Sequence, residues 1–235
     1  MKVGTDGVLL GAWCALPTSG AATGDNNVNV ADLGAGSGII SLMIAQRFSH
    51  VQVSAIEIDP EATLDCMQNF ARSPFASRLR ALNAAAADFT PVQAPVLIVS
   101  NPPYFKNGAL SPVQERRQAR HAGDFGPRAV IEIAAGLLPA EGSLAMITPA
   151  DDEDELLFHA ELHHLQLWRL CRVSTVEGRR PSRLLWQFIP KTDAETQHHN
   201  KTSLRPEITQ LSVRKACGKY TAEYAGLTRD FYLNL

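Results

Sequence analysis

Two short motifs and one isolated carboxylate carry residue types that can do chemistry. Asp32-Leu33-Gly34-Ala35-Gly36-Ser37-Gly38 places three glycines at alternate positions between an apolar run and a helical pattern. Missing Cβ atoms let such a turn approach a ligand, and the start of the following helix presents free N–H groups that suit a carboxylate or phosphate. Glu57 ends the next apolar run, about twenty residues on, where a carboxylate can accept hydrogen bonds from both hydroxyls of a ribose. Ser100-Asn101-Pro102-Pro103-Tyr104 closes a further apolar run. Its two prolines stiffen the backbone and remove two N–H donors, so the Asn101 amide oxygen and the Pro102 carbonyl can face one point beside the flat Tyr104 ring. Two acceptors and a stacking surface are what an amino group on an aromatic ring requires.

The glycine spacing, Gly-x-Gly-x-Gly, departs from the Gly-x-Gly-x-x-Gly dinucleotide fingerprint, whose last position here is Ile39. With Glu57 it points to a nucleoside-containing cofactor, and it favours S-adenosylmethionine, which has no pyrophosphate to cradle, over NAD. An amino group such as adenine N6 is a poor nucleophile because its lone pair is delocalised into the ring. Hydrogen bonds from N6–H to Asn101 and Pro102 would localise that lone pair, and stacking on Tyr104 would aim it in line at a sulfonium methyl. Catalysis is then positioning and electrostatics, with no side-chain nucleophile. The same acceptors would also serve a DNA adenine, an rRNA guanine or a protein glutamine amide. A non-catalytic RNA-binding protein of the same fold is the rival from another class.

The elements that must hold these residues follow from apolar patterning. Strands are expected at Val28 to Leu33, Val51 to Glu57, Arg80 to Asn83 and Val96 to Ser100, with helices at Ile39 to Phe48 and Pro60 to Arg72. Strands alternating with helices imply a parallel, doubly wound α/β sheet, with the chemistry at its carboxyl edge. Pro102 to Pro127 is too long for a tight connection and reads as a functional loop. A helix at Arg128 to Leu138, a strand at Ser143 to Thr148 and a helix running to His164 behind the acidic stretch Asp151 to Glu155 follow. Leu167 to Val176 and Leu184 to Ile189 read as a hairpin turned at Gly178 to Pro181. Thr192 to Pro206 is a polar connection, and the tail from Ile208 to Leu235 holds one more candidate strand.

At 235 residues, 45% hydrophobic and 20% charged, the chain has the composition of one globular domain. Neither a membrane-length apolar stretch nor a signal peptide is present, so the default location is the cytoplasm. Cys14, Cys66, Cys171 and Cys217 lack paired spacing and read as reduced buried thiols. His159 and His163 stand four apart without metalloprotease order, so no metal is expected. The net charge of −2 leaves room for local basic faces: Arg116, Arg117 and Arg120; Arg179, Arg180 and Arg183; Arg205, Arg214, Lys215 and Lys219.

The two motifs resemble those of class I amino-methyltransferases. Met1-Lys2-Val3-Gly4-Thr5-Asp6-Gly7-Val8-Leu9-Leu10-Gly11-Ala12-Trp13 and the ending Tyr220 to Tyr224 with Leu227 to Leu233 are similar to the bacterial tRNA1(Val) adenine-37 N6-methyltransferase family, so the resemblance runs along essentially the whole chain. It implies a mostly parallel, seven-stranded Rossmann-like sheet with a C-terminal antiparallel hairpin. One class I methyltransferase domain would span 1–235, with the cofactor core at 28–150 and the closing hairpin and substrate-side tail at 151–235. Lys2, Gly4, Thr5 and Asp6 would flank the methionine end of the cofactor. Asp32, Gly34, Gly36, Gly38, Glu57, Ile58 and Asn101 would complete the cofactor site, and Asn101, Pro102, Pro103 and Tyr104 would hold the target base. The partner would be an anticodon-loop adenine of tRNA, already outside a duplex, and the enzyme a monomer with no membrane partner. The pattern departs from many relatives where an acidic residue follows the third strand: here Ala84 to Ala87 stand, and Asp88, or backbone N–H groups near Ala85 and Phe89, would read the cofactor's adenine. Arg116, Arg117 and Arg120 are the candidate RNA contacts. Reversing these three charges is expected to weaken tRNA binding and flatten its salt dependence, read as the slope of log affinity against log salt.

Overall fold

The computed structural model describes residues 4–17, 28–104, 125–191 and 205–232. Eight strands form one sheet: β1 (Val28–Leu33), β2 (Val51–Glu57), β3 (Leu79–Asn83), β4 (Leu97–Ser100), β5 (Ser143–Pro149), β6 (Leu165–Val176), β7 (Arg183–Pro190) and β8 (Glu207–Arg214). Their order is β3-β2-β1-β4-β5-β7-β6-β8. β1 to β5 run parallel, and β7 lies antiparallel between β5 and β6. The expected hairpin is therefore present, turned at Gly178, whose φ of 75° suits a residue without Cβ. The eighth strand, β8, runs parallel to β6 and exceeds the seven expected. It covers what would otherwise be the bare edge of a twelve-residue strand. Only Leu211 and Val213 of β8 turn inward, which is why its apolar pattern is faint.

Helices cover both faces. On one lie α1 (Thr5–Trp13), α2 (Ile39–Arg47), α3 (Pro60–Ala71) and α6 (Ala222–Thr228), packed over Val28, Val30, Val53, Leu97, Val99 and Ile147. On the other lie α4 (Pro127–Leu137) and α5 (Glu153–Leu162), over the alternate residues Ala31, Leu33, Ile98, Leu144 and Met146. Period-two alternation divides the strands between two cores, and β4 and β5 are buried along their whole length on both faces. The start of α5 is tied to the interior of β6 by Glu153 and Arg172, while the more exposed pair Arg128–Glu155, 2.5 Å apart, adds little. Cys14, Cys66 and Cys171 are buried free thiols as expected, whereas Cys217 is exposed on the turn after β8. No helix among the described residues is long and apolar enough to cross a membrane.

The first helix had no counterpart in the patterning. Residues Gly7 to Trp13 are all buried, so α1 is apolar around its whole circumference rather than along one stripe. It lies close on α2, where a Cβ at Gly11 would stand 2.8 Å from Met43 Sδ. Arg47 of α2 closes the helix by donating to the Gly11 and Cys14 carbonyls, each at 2.7 Å. Beyond it, Gln187 of β7, fully buried, holds the chain on both sides: it donates to Ala15 O at 2.6 Å and to Ser143 Oγ at 3.0 Å, and accepts from Ala15 N at 3.3 Å. Gln187→Leu keeps the volume and strands those partners in the core. It is expected to lower unfolding free energy by about 2–3 kcal/mol, measured by urea denaturation.

Candidate active site

Parallel pairing brings the carboxyl ends of β1, β2, β3 and β4 to one edge, and register aligns Asp32 with Ala55 on one side and Val99 on the other. The sequence motifs meet there. Gly34, Gly36 and Gly38 have φ of 70°, 56° and 79°, the left-handed region that favours glycine. At two of them the missing Cβ makes room for the protein itself. A Cβ at Gly38 would stand 2.6 Å from both Cys66 Sγ and the Phe70 ring, and one at Gly34 would stand 2.8 Å from the Phe125 ring.

The turn spends its amides internally. Gly34 and Ala35 donate to Ile56 O, Gly38 to Ala35 O, and Gly36 to Glu57 Oε2 at 2.8 Å. Ser41, in the first turn of α2, donates from its N–H and its hydroxyl to Asp32 Oδ2. The amides of Gly34, Ala35, Gly36, Gly38 and Ser41 are therefore taken up by the protein's own oxygens. This fits a cofactor lacking a pyrophosphate.

Glu57 is held on both oxygens, Oε1 accepting from Asp59 N at 2.9 Å. A carboxylate has about four lone-pair sites, so each oxygen keeps capacity for a ribose hydroxyl. Asn83 braces the same point by donating to Glu57 O and Ile58 O. Ile58 exposes 40% of its surface beside it, and Asp88 is exposed on the short turn after β3. The Phe89 side chain is buried in the core beneath, and its N–H donates to Ala86 O. It also lines a cavity of about 350 Å³ at the amino half of β1 to β3, away from Asn101.

Asp32 is fully buried, and burial pushes its carboxyl up to about 7 against the pull of the Ser41 hydrogen bonds. Its Oδ1 has no hydrogen-bond partner among the described residues, and neither does the buried Oδ1 of Asn101. Each is a buried polar atom that the described residues leave without a partner. Ser100 Oγ fixes the end of β4 by donating to Leu33 O at 2.7 Å, and Pro102 is buried behind Asn101.

Tyr104 is fixed by a contact that motif reading missed. Its hydroxyl donates to Asp6 of α1, and Arg183, the first residue of β7, donates to the same Asp6 Oδ2 at 2.9 Å. The Arg183 guanidinium lies over the Tyr104 ring, 5.0 Å from its centroid. Burial, with the Asp6 carboxylate, raises the Tyr104 hydroxyl to about 12, so it stays a donor. Asp6, expected beside the methionine end of a cofactor, thus has its carboxylate engaged by Tyr104 and Arg183. Arg183 had stood out only as one of three surface arginines; what could have found it is its place at the head of the apolar run Leu184 to Phe188. Gly4 and Thr5 are exposed at the start of α1. Lys2, Arg116, Arg117 and Arg120 lie outside the described residues. Among the described residues no group of His, Cys, Asp and Glu has the arrangement of a metal site, and the rings of His159 and His163 rest against each other at 4.7 Å.

Residues 21–166 match the family model described as the methyltransferase small domain. Over its whole length the chain is 40% identical to the tRNA1(Val) (adenine(37)-N6)-methyltransferase of Shewanella amazonensis, covering 93% of that protein. It is 36% identical over its whole length to the protein of the same name from Tolumonas auensis, covering 91% of it. Over 99% of its length it is 37% identical to that of Porphyromonas gingivalis, covering 89% of it. Among solved structures, Atu636 of Agrobacterium tumefaciens, described as a predicted O-methyltransferase, superposes with a TM-score of 0.66 over 96% of both chains at 16% identity. That likeness concerns the fold.

Asp32 makes folding sensitive to pH. Its folded value of about 7 stands above the ordinary 3.8, so the native state holds a proton that the unfolded chain releases. The resulting stability is present below pH 4 and is lost as pH rises to 7, at most about 4 kcal/mol at about 1.4 kcal/mol per pH unit. In urea unfolding, wild type is expected to lose stability relative to Asp32→Asn between pH 5 and pH 7.5; parallel profiles would remove the assignment.

Proposed function

Since the chain belongs to the tRNA1(Val) (adenine(37)-N6)-methyltransferase family, we propose that it methylates N6 of adenine 37 in a valine tRNA, using S-adenosylmethionine. The observation that carries the reading is the buried Asn101 Oδ1, an acceptor without a donor among the described residues, beside a tyrosine ring pinned at hydroxyl and face. An exocyclic N6–H group supplies the donor, and the adenine ring stacks on Tyr104. Full-length identity to named tRNA enzymes supports the substrate class.

When bound, the cofactor supplies an electrophilic methyl group on a sulfonium. The chain's own residues position and polarise. Asn101 Oδ1 and the Pro102 carbonyl accept from the two N6–H groups and localise the nitrogen lone pair, and Pro103 keeps that backbone stiff. Both acceptors are neutral, so they hold the protons in place without removing one before the methyl group has moved. The proton then leaves the product nitrogen to water. Glu57 binds the ribose, with Ile58 and Asp88 along the nucleoside. Gly34, Gly36 and Gly38 shape the floor of the site. Asp32 Oδ1, with Lys2, Gly4 and Thr5, serves the methionine end. Asp6 acts through Tyr104 rather than on the cofactor.

The test is methyl transfer to bulk tRNA from a strain lacking this gene, followed by nucleoside mass spectrometry. N6-methyladenosine in one tRNA is expected; methylguanosine, or no product, would overturn the reading. Asn101→Ala is expected to lower turnover about 10²–10³-fold while cofactor affinity, read by calorimetry, stays within about threefold.

A further inference from the structure

Two of the basic clusters seen in the sequence come together in space. Arg179 and Arg180 are exposed on the turn between β6 and β7, and Lys215 and Lys219 on the turn that follows β8. The two turns are stitched by Glu177 N donating to Arg214 O at 2.8 Å, with Val176 and Arg214 in register. The second turn is stiff. Lys215 N donates to Lys219 O, Gly218 takes a φ of 84°, and the Arg214 guanidinium donates to Gly218 O and Tyr220 Oη while lying 4.2 Å from the Tyr220 ring centroid.

Strand directions decide where this ridge stands. Arg183 pairs with Pro149 at the carboxyl end of β5 and with Val173 near the carboxyl end of β6, and β8 runs parallel to β6. Both turns therefore crown the edge that carries Asn101. Arg205 precedes the opposite end of β8 and is not part of the ridge. From β5 the ridge extends outward across β7, β6 and β8, three strand spacings or about 14 Å. Its inner end is Arg183, on the Tyr104 ring.

The charges are unspent. Arg172, deeper in the sheet, is paired with Glu153, but the side chains of Arg179, Arg180, Lys215 and Lys219 have no ion pair or hydrogen bond among the described residues. Glu177 and Glu223 are the carboxylates nearest them in the chain. In a chain of net charge −2, four unpaired cations on two rigid turns form a local field of opposite sign. They present no apolar groove and no aromatic cage, so they suit a partner that is a line of anions.

We propose that this ridge is the track for the phosphodiester backbone of the RNA whose target base enters at Asn101 and Tyr104. The proposal rests on the function proposed above and names the surface that holds the rest of the substrate. The ridge reads no sequence; it sets the angle at which the strand leaves the catalytic edge.

The test compares wild type with the fourfold variant Arg179→Gln, Arg180→Gln, Lys215→Gln, Lys219→Gln, using unmodified tRNA binding by fluorescence anisotropy between about 50 and 200 mM salt. Losing four phosphate contacts is expected to reduce the slope of log affinity against log salt by about 3. It should raise KM for tRNA at least tenfold, with kcat at saturating tRNA and S-adenosylmethionine affinity within twofold. The control Arg72→Gln, Arg205→Gln, at the opposite edge, should keep the wild-type slope. A fourfold variant with an unchanged slope, or a control that loses as much, overturns the ridge while methyl transfer to tRNA by the wild type leaves the function standing. A wild-type enzyme that transfers no methyl group to tRNA overturns both.

Discussion

One carboxylate joins three distant parts of this chain. Asp6 stands in the first helix, Tyr104 just beyond the fourth strand and Arg183 at the head of the seventh, and the last two both donate to its Oδ2. A hydrogen bond to a charged group contributes about 1.5–3 kcal/mol, enough to hold a tyrosine ring in one orientation. Much of the remaining architecture secures the carboxylate in turn. α1 is seated on α2 by close glycine contact, its carbonyls are closed by Arg47, and the segment after it is gripped by Gln187. The N-terminal helix thus lies under the substrate side of the site, and its apolar burial is what holds the Asp6 charge in place.

The glycine turn carries a second constraint of the same kind. Three left-handed glycines let β1 pass into α2 within a few residues, and Glu57 fastens that turn to β2 through the Gly36 amide. A carboxylate that organises the protein with one set of lone pairs still offers another set to a ribose. Binding site and scaffold are the same atoms here. Losing Glu57 would therefore loosen the turn as well as remove a ligand contact.

The legibility of the structure in the sequence follows burial geometry. β1, β2, β4 and β5 are packed between two helical layers, so each reads as a short, mainly apolar segment bounded by polar residues, and their positions were clear. β8 was faint because Glu207 to Gln210 are exposed and only Leu211 and Val213 alternate inward. α1 escaped notice because it is apolar on every side, without an amphipathic period or a side-chain cap. In the site, Asn101 and Glu57 were legible because one follows and the other closes a strand at the carboxyl edge. Arg183 was not, since an arginine beside two exposed ones looks like solvated surface; its partners, Asp6 and Tyr104, are 177 residues away in one case and 79 in the other. The partners of the turn amides were hidden for a similar reason. Spacing reveals that a backbone bends, and only the tertiary neighbours determine what its N–H groups meet.

The unpartnered Asn101 oxygen is where these constraints converge. Leaving a buried acceptor without a donor costs about 1–3 kcal/mol, and a chain selected for stability alone would fill the position with an apolar side chain. The surrounding bonds keep it from relaxing. Ser100 is tied to Leu33, Pro102 and Pro103 cannot donate, and Tyr104 is held through Asp6. With no donor to it among the described residues, the oxygen keeps its demand for a planar N–H donor. An acceptor that is already aimed needs no reorganisation as charge develops on the nitrogen it binds. A site with neither a nucleophile nor a strong base can accelerate methyl transfer on that basis.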